Sequence, residues 1–288
     1  MDNPAVPPRE DGVDAVVLAG GPPAPVLTGG ALPKAFAAVG GATMAERVLA
    51  VLRGTPQIRR IALVGPVPLP PAAAAAATLT VPAGGGFLEN LSAGLAALAA
   101  LGQDAPRDNA PVLVAAADVP LLTSAAVAAF LEAALAADAD AAYAIVPREE
   151  ITRVAPGVRK TFVRLADGEF TGGSLVLLRP GAFARARPVI ERAVRARKRP
   201  WELARLFGLP ALVGLATGRL RIAALERRAE ALAGLRARAI VCRDAGVALD
   251  VDNAEMLEFV RSRLGSAQPG DGADTAPRDA AAAGRGAP

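Results

Sequence analysis

The sequence predicts an α/β protein on a mostly parallel sheet, with an α-helical insertion late in the chain. Three observations carry this. Short apolar runs alternate with helix-length segments, the pattern of βαβ units joined by right-handed crossovers. The first run is apolar from Ala15 to Leu18 and stops at Gly20-Gly21, as a buried parallel strand does when it feeds a loop. Between Arg179 and Ala239 the alternation gives way to successive short helical segments.

Taken in order, strands are expected at 15–18, 61–64, 79–81, 112–116, 141–146, 161–165, 174–178 and 239–242. Helices are expected at 44–53, 87–101, 124–137, 189–197 and 254–264. Within the insertion further helices are expected at 201–207, 211–217 and 222–232, with Pro200 and Pro210 placed to start helices. Thr123 is an N-cap for the helix after Pro120. Asp252 and Glu255 fit a capping box with aspartate as the cap, and Gly265 stops that last helix. The alanine run 72–77 reads as a surface loop. Residues 1–12 and 265–288 are rich in Pro, Gly, Ala and Asp and lack large apolar side chains. They read as disordered tails. One α/β domain is left at 13–264, with the insertion at about 180–238.

Composition excludes several chemistries. The 288 residues contain no histidine and one cysteine, Cys242. Histidine triads, histidine–metal sites, an internal disulfide and a cysteine-based zinc site are therefore ruled out. No apolar run reaches the ~18–20 residues of a membrane span, and the polar, proline-rich start does not read as a signal peptide. A cytoplasmic location is the expectation. Residues 179–243 hold half of the 32 Lys and Arg but only four of the 28 Asp and Glu. This local basic balance suits an anionic substrate, a membrane surface or nucleic acid, or is a solvated helical surface with snorkelling arginines.

Several residues could carry chemistry. Gly20-Gly21 lets backbone amides approach an anion closely, and Lys34, after Pro33, adds a point charge. Asp118 follows the apolar run 112–117, just past a strand's carboxyl end, where open α/β sheets bind ligands. Mg²⁺ prefers one or two such carboxylates plus substrate phosphates. Asp250 and Asp252 flank Val251, so in an extended chain both point to the same side. Asn90, after Gly84-Gly85-Gly86, either reads a base edge or serves the helix start. Gly172-Gly173 marks a close approach or a turn. Lys160 offers charge to phosphates.

Leu18-Ala19-Gly20-Gly21 with Pro33-Lys34 resembles the opening signature of nucleoside-triphosphate transferases with a glycosyltransferase-A-type fold. The MobA-like group, molybdenum-cofactor guanylyltransferase and relatives, is most similar. Asp118-Val119-Pro120 and Asp250-Val251-Asp252 extend the resemblance over about residues 13–264. It implies a three-layer, Rossmann-like architecture and a Mg²⁺ site at Asp118 completed by Asp252 or Asp250. It also implies nucleotide contacts at Leu18, Ala19, Gly20, Gly21, Lys34, Asn90 and Ser92, with Lys34 and Asp118 catalytic. Acceptor contacts are implied at Lys160, Gly172, Gly173 and Ser174. One departure stands out. Many family members grip the triphosphate with an arginine in the first loop, whereas Gly21 to Ala31 holds no basic residue. Thr28, Lys34, loop amides and Mg²⁺ are left to do that work.

The expected activity is transfer of a nucleoside monophosphate from a nucleoside triphosphate to a phosphorylated small-molecule acceptor, releasing pyrophosphate. Alternatives are a nucleotide-binding regulator without turnover and a nucleotide-sugar glycosyltransferase, since Asp250-Val251-Asp252 is formally a DxD motif. A dinucleotide-dependent oxidoreductase is disfavoured because the loop is not Gly-x-Gly-x-x-Gly. No nucleic-acid partner is expected. The basic insertion is expected to cover the acceptor, with contact to a membrane surface or a dimer interface as alternative readings. The chain is expected to be a monomer or homodimer.

Overall fold

A computed structural model describes residues 12–101, 110–196 and 208–265. The main sheet has eight strands: β1 (Val13–Leu18), β4 (Ile58–Gly65), β5 (Leu79–Pro82), β6 (Val112–Ala116), β7 (Ala141–Pro147), β8 (Val163–Leu165), β9 (Gly168–Leu178) and β10 (Ala237–Val241). Its spatial order is β10-β7-β9-β6-β1-β4-β5, with β8 hairpinned onto β9. A separate ribbon pairs β2 (Ala38–Val39) with β3 (Ala42–Thr43). β1 pairs in parallel with both β4 and β6, and β5 continues the parallel set. β9 alone of the long strands runs backwards, antiparallel to β6 and β7. The reversal follows from the β8–β9 hairpin, which turns at Ala166-Asp167 and enters β9 at Gly168 with φ +136°, a conformation that favours glycine.

Residues alternate across the sheet and build two cores. Ala15, Val17, Leu63, Leu113 and Ala115 face one side. Val16, Ala62, Val64, Val112 and Val114 face the other. On the first side pack α2 (Met44–Arg53), α5 (Ser124–Ala136) and α10 (Ala254–Gly265). On the second packs α4 (Phe87–Ala99) through Leu88, Leu91, Leu95 and Leu98, with Phe183 of α7 (Pro180–Ala196). This is the expected three-layer α/β arrangement. Between β9 and β10 lie α7, α8 (Leu209–Ala216) and α9 (Ile222–Ala233).

Local chemistry explains several boundaries. Thr43 and Glu46 form a reciprocal capping box that starts α2. Thr123 Oγ1 accepts the Ala126 N–H at 3.1 Å, the predicted cap of α5. The alanine run 72–77 is not a loop: α3 (Pro71–Ala76) is helical, with Ala73 fully buried. Alanine is the strongest helix former, and Pro71 sits at the first helical position, where its missing N–H costs nothing. α7 begins at Pro180, well before 189, and carries Pro188 inside it. Burial of Ala182, Phe183 and Ala186 fastens the extra turns. Pro210 does lie in the first turn of α8. The helix expected at 201–207 lies outside the described residues, as do the basic cluster Arg197-Lys198-Arg199 and nearly all of both tails.

Two further α-helices escaped the sequence reading, α1 (Pro25–Thr28) in the first loop and α6 (Arg148–Val154) after β7, as did the β2–β3 ribbon. So did a buried charge cluster at the amino end of β1. There Asp14 accepts paired hydrogen bonds from Arg59 and Arg60 at 2.9–3.1 Å. Among the described residues no helix is long and apolar enough to cross a membrane.

Candidate active site

The four parallel strands β1, β4, β5 and β6 present their carboxyl ends to one cleft of about 720 Å³. The residues that follow them, Gly20, Pro66, Ala83 and Asp118, all line it. At the end of β1, Ala19 donates to Val64 O at 2.8 Å and Leu18 O accepts from Ala117 at 3.1 Å. The chain then leaves the sheet at Gly20-Gly21. A Cβ on Gly20 would lie 2.9 Å from Ala83 Cβ and 3.0 Å from Asn90 Nδ2, and Gly21 holds φ +138°. Both positions therefore require glycine. Leu18, Gly20 and Gly21 line the cleft, whereas Ala19 is turned into the core.

The first loop closes on itself. Ala24 N–H bonds Leu32 O at 2.9 Å, and the Thr28 hydroxyl lies 3.0 Å from Ala24 O. Thr28, expected at the phosphates, instead fastens this loop. The loop returns to Pro33 and a 3₁₀ turn, Lys34–Phe36. Ala35 and Phe36 are buried, so the turn is anchored while Lys34 is left at the cleft mouth.

Lys34 Nζ lies 2.6 Å from Asp118 Oδ2 and also pairs with Asp252 Oδ1. Asp118 Oδ1 is buried and has no hydrogen-bond partner among the described residues. Burial works against the Lys34 charge, but Asp118 and then Asp252 outweigh it and raise the ammonium above its ordinary 10.5. Burial likewise opposes the Asp252 charge, yet Lys34 and Asp250 hold that carboxyl below its usual range. Asp250 goes the other way, raised chiefly by burial although Lys160 pulls against it.

The Asp250–Asp252 segment belongs to no helix or strand and is held from several sides. Val251 is fully buried, and its N–H bonds Asp118 O at 2.9 Å. Upstream, Asp244 accepts from Thr123 Oγ1 at 3.0 Å and from Gly246 N–H at 2.7 Å. Downstream, the cap of α10 is Asn253, whose Oδ1 accepts the Met256 N–H at 2.9 Å. This corrects the expectation that Asp252 caps that helix: α10 begins at Ala254 as expected, its cap is the residue immediately before, and Asp252 is left to face Lys34. Asp250 pairs with Lys160.

The other expected residues divide. Asn90 lines the cleft, but its carboxamide is engaged by the glycine loop: Oδ1 accepts from Gly84 N–H at 3.1 Å and Nδ2 donates to Gly85 O at 3.3 Å. It shapes the loop. Ser92 is not part of the cleft lining. Two residues beyond Asn90 is about 200° round a helix, and there its hydroxyl donates to Leu88 O at 2.8 Å and accepts from Arg187 at 3.2 Å. Gly172, Gly173 and Ser174 are not a turn ahead of a strand; they lie inside β9. Tyr143 faces Val176 while Ile145 faces Gly172, so β9 bulges there. Gly173 and Ser174 line the cleft. Gly172 makes room for Tyr143, since a Cβ there would sit 2.1 Å from the phenol oxygen. Lys160, like Lys34, Asp250 and Asp252, is not part of the cleft lining itself; Lys34 reaches it through Asp118, whereas the Lys160 side chain is only 12% exposed and paired with Asp250.

Tyr143 is a polar cleft residue that sequence reading missed. It lies on β7 and lines the cleft with Asp118. Burial first, and Asp250 second, push its phenol above 10. Its only advance signal is that it is the chain's single tyrosine.

A glycine-walled cleft at the carboxyl edge of a doubly wound sheet, with a lysine between two carboxylates at its mouth, defines an α/β enzyme that handles phosphorylated ligands. The chain belongs to the MobA-like NTP transferase domain family, whose model matches residues 15–242. It is thus a nucleotidyltransferase. Asp250 and Asp252 lie beyond the matched stretch, and the fold returns them to it. A hypothetical transferase from Thermus thermophilus is 38% identical, covering 85% of this chain and 99% of that one, with a TM-score of 0.75. The 2-C-methyl-D-erythritol 4-phosphate cytidylyltransferase of the same organism shares the fold at 18% identity, covering 88% of this chain and 98% of that one, with a TM-score of 0.51. A 4-diphosphocytidyl-2C-methyl-D-erythritol synthase from Anaerococcus prevotii does so at 11% identity, 89% and 97% coverage, and a TM-score of 0.54. No curated protein matches the chain.

Proposed function

We propose that the enzyme moves a nucleoside monophosphate from a nucleoside triphosphate to a phosphorylated acceptor and releases pyrophosphate. The observation that carries this reading is the convergence of Lys34, Asp118 and Asp252 beside a double-glycine loop. An acceptor phosphate oxygen attacks the α-phosphorus. The new P–O–P bond forms as the bond from the α-phosphorus to the bridging oxygen breaks, and pyrophosphate leaves with that electron pair. A phosphomonoester is already largely dianionic at neutral pH, its second pKa being ~6. No general base is needed, consistent with a chain free of histidine.

The residues fit a magnesium ion. Asp118 and Asp252 offer hard carboxylate oxygens that already converge on one positive charge, and Asp118 Oδ1 is buried without a partner among the described residues. Asp118 and Asp252 would hold the ion, which would supply charge neutralisation at the triphosphate. Lys34 adds a second positive charge there, and the amides after Gly20 bind the phosphates. Asn90 keeps the Gly84–Gly86 loop in place against the nucleotide. Gly173, Ser174 and Tyr143 form the acceptor's wall.

Incubation with each nucleoside triphosphate, Mg²⁺ and a panel of sugar, polyol and cofactor phosphates tests this by pyrophosphate release. A second reading, nucleotide binding without turnover, draws on the first loop, which has no basic residue and ties up Thr28 internally. Binding of a triphosphate with no pyrophosphate from any acceptor would favour that second reading.

A further inference from the structure

We propose that Lys160 is a positioning residue: its ion pair with Asp250 sets the Asp250–Asp252 segment so that Asp252, and not Asp250, faces Asp118. The inference rests on the metal reading above and gives Lys160 a role different from acceptor binding.

Three observations carry it. The Lys160 side chain is only 12% exposed, and its ammonium is paired with Asp250. Asp252 instead shares Lys34 with Asp118. Val251, between them, is buried and its N–H bonds Asp118 O, so the setting of the segment is felt at Asp118. With no counter-charge, two carboxylates on the same side of one extended segment repel, and the half-buried Asp250 would be left unpaired. The cheapest relief is rotation of the segment, which Asp252 would follow. Lys160 removes that incentive. Partners that hold a ligating carboxylate from behind typically matter by about 10–100-fold in metal affinity when lost.

Mn²⁺ is the probe, titrated by electron paramagnetic resonance into the full chain, alone and with each nucleoside triphosphate. Lys160→Met should weaken Mn²⁺ about 10–100-fold, with a cooperative urea transition still showing a folded protein. Lys160→Arg, which keeps the charge, and Asp250→Asn, which keeps an oxygen for Lys160, should stay within about threefold of the parent, since neither removes a direct ligand. The Michaelis constant for any acceptor found should be unmoved in Lys160→Arg. Should Lys160→Met fail to fold, Lys160→Gln takes its place under the same expectation. Unchanged Mn²⁺ affinity in Lys160→Met, or a loss in Asp250→Asn as large as in Asp252→Asn, overturns the inference. A parent protein that binds no Mn²⁺ under any of these conditions overturns the metal reading itself, and this proposal with it.

Discussion

The Lys34 ammonium lies 2.6 Å from Asp118 Oδ2, joining the turn after the first loop to the carboxyl end of β6. Everything proposed for the cleft depends on that pair, because it puts a fixed cation and a carboxylate side by side at the mouth of a glycine-lined pocket.

Lys34→Met should weaken nucleoside triphosphate more than nucleoside monophosphate. A charge-assisted hydrogen bond is worth about 1.5–3 kcal/mol, roughly 10–100-fold in affinity. Calorimetric titration of both nucleotides into both proteins measures it. Equal losses for the two nucleotides would place the lysine's effect away from the β- and γ-phosphates.

Gly20→Ala should damage nucleotide binding without unfolding the sheet. The new Cβ meets Ala83 Cβ at 2.9 Å and Asn90 Nδ2 at 3.0 Å, so it pushes the Gly84–Gly86 loop outward. Overpacking of this kind costs about 1–3 kcal/mol. Urea denaturation should show a loss in that range, and nucleotide affinity should fall with it. Parental affinity in the variant would mean that the loop is not part of the binding site.

Asn253→Ala should lower stability by about 1 kcal/mol, the usual worth of a helix cap. Asp252→Ala should not remove that cap, because the Met256 N–H bonds Asn253. Paired urea melts read the difference. A larger loss in Asp252→Ala would return the cap to Asp252.

Cys242 should be an inert thiol. Burial, helped by Asp244, pushes its pKa up to about 11. The neutral form is the one the fold favours. Its contribution to stability is full below the unfolded value of about 9 and is lost as pH climbs through the folded value of about 11. Alkylation by iodoacetamide should therefore rise about tenfold per pH unit from 7.5 to 9.5, without levelling. A plateau near pH 9 would show an ordinary exposed cysteine.

Long, strongly patterned elements were legible. The unbroken apolar run of β1 and the helical stretch 44–53 depend on neighbours in sequence: the structure has α2 at those bounds and starts β1 two residues earlier than expected. Lys34, Asp118 and Asp252 were legible because each stands at a marked spot: after Pro33, past a buried strand, and before a helix. What failed was decided at a distance. Gly172-Gly173 looks like a turn until β7 lies beside it and Tyr143 needs the space. The Asp167-Gly168 dipeptide was the available hairpin signal for β9. Whether Asp252 or Asn253 caps α10 turns on where one helical turn begins. The Lys160–Asp250 pair joins residues that only the finished fold brings together. The alanines of α3 carry no periodic pattern, so propensity and the buried Ala73 decide instead.

Pyrophosphate release by Asp118→Asn tests the central claim most directly. The parent protein, given its nucleoside triphosphate, Mg²⁺ and a phosphorylated acceptor, should release pyrophosphate. The variant keeps the side chain's size but loses its charge. Loss of an electrostatic group at the reacting phosphates costs about 10²–10³-fold, so release should fall at least that far while the urea transition stays cooperative. Release near the parental rate at saturating Mg²⁺ would contradict the role given to Asp118 and to the site built around it.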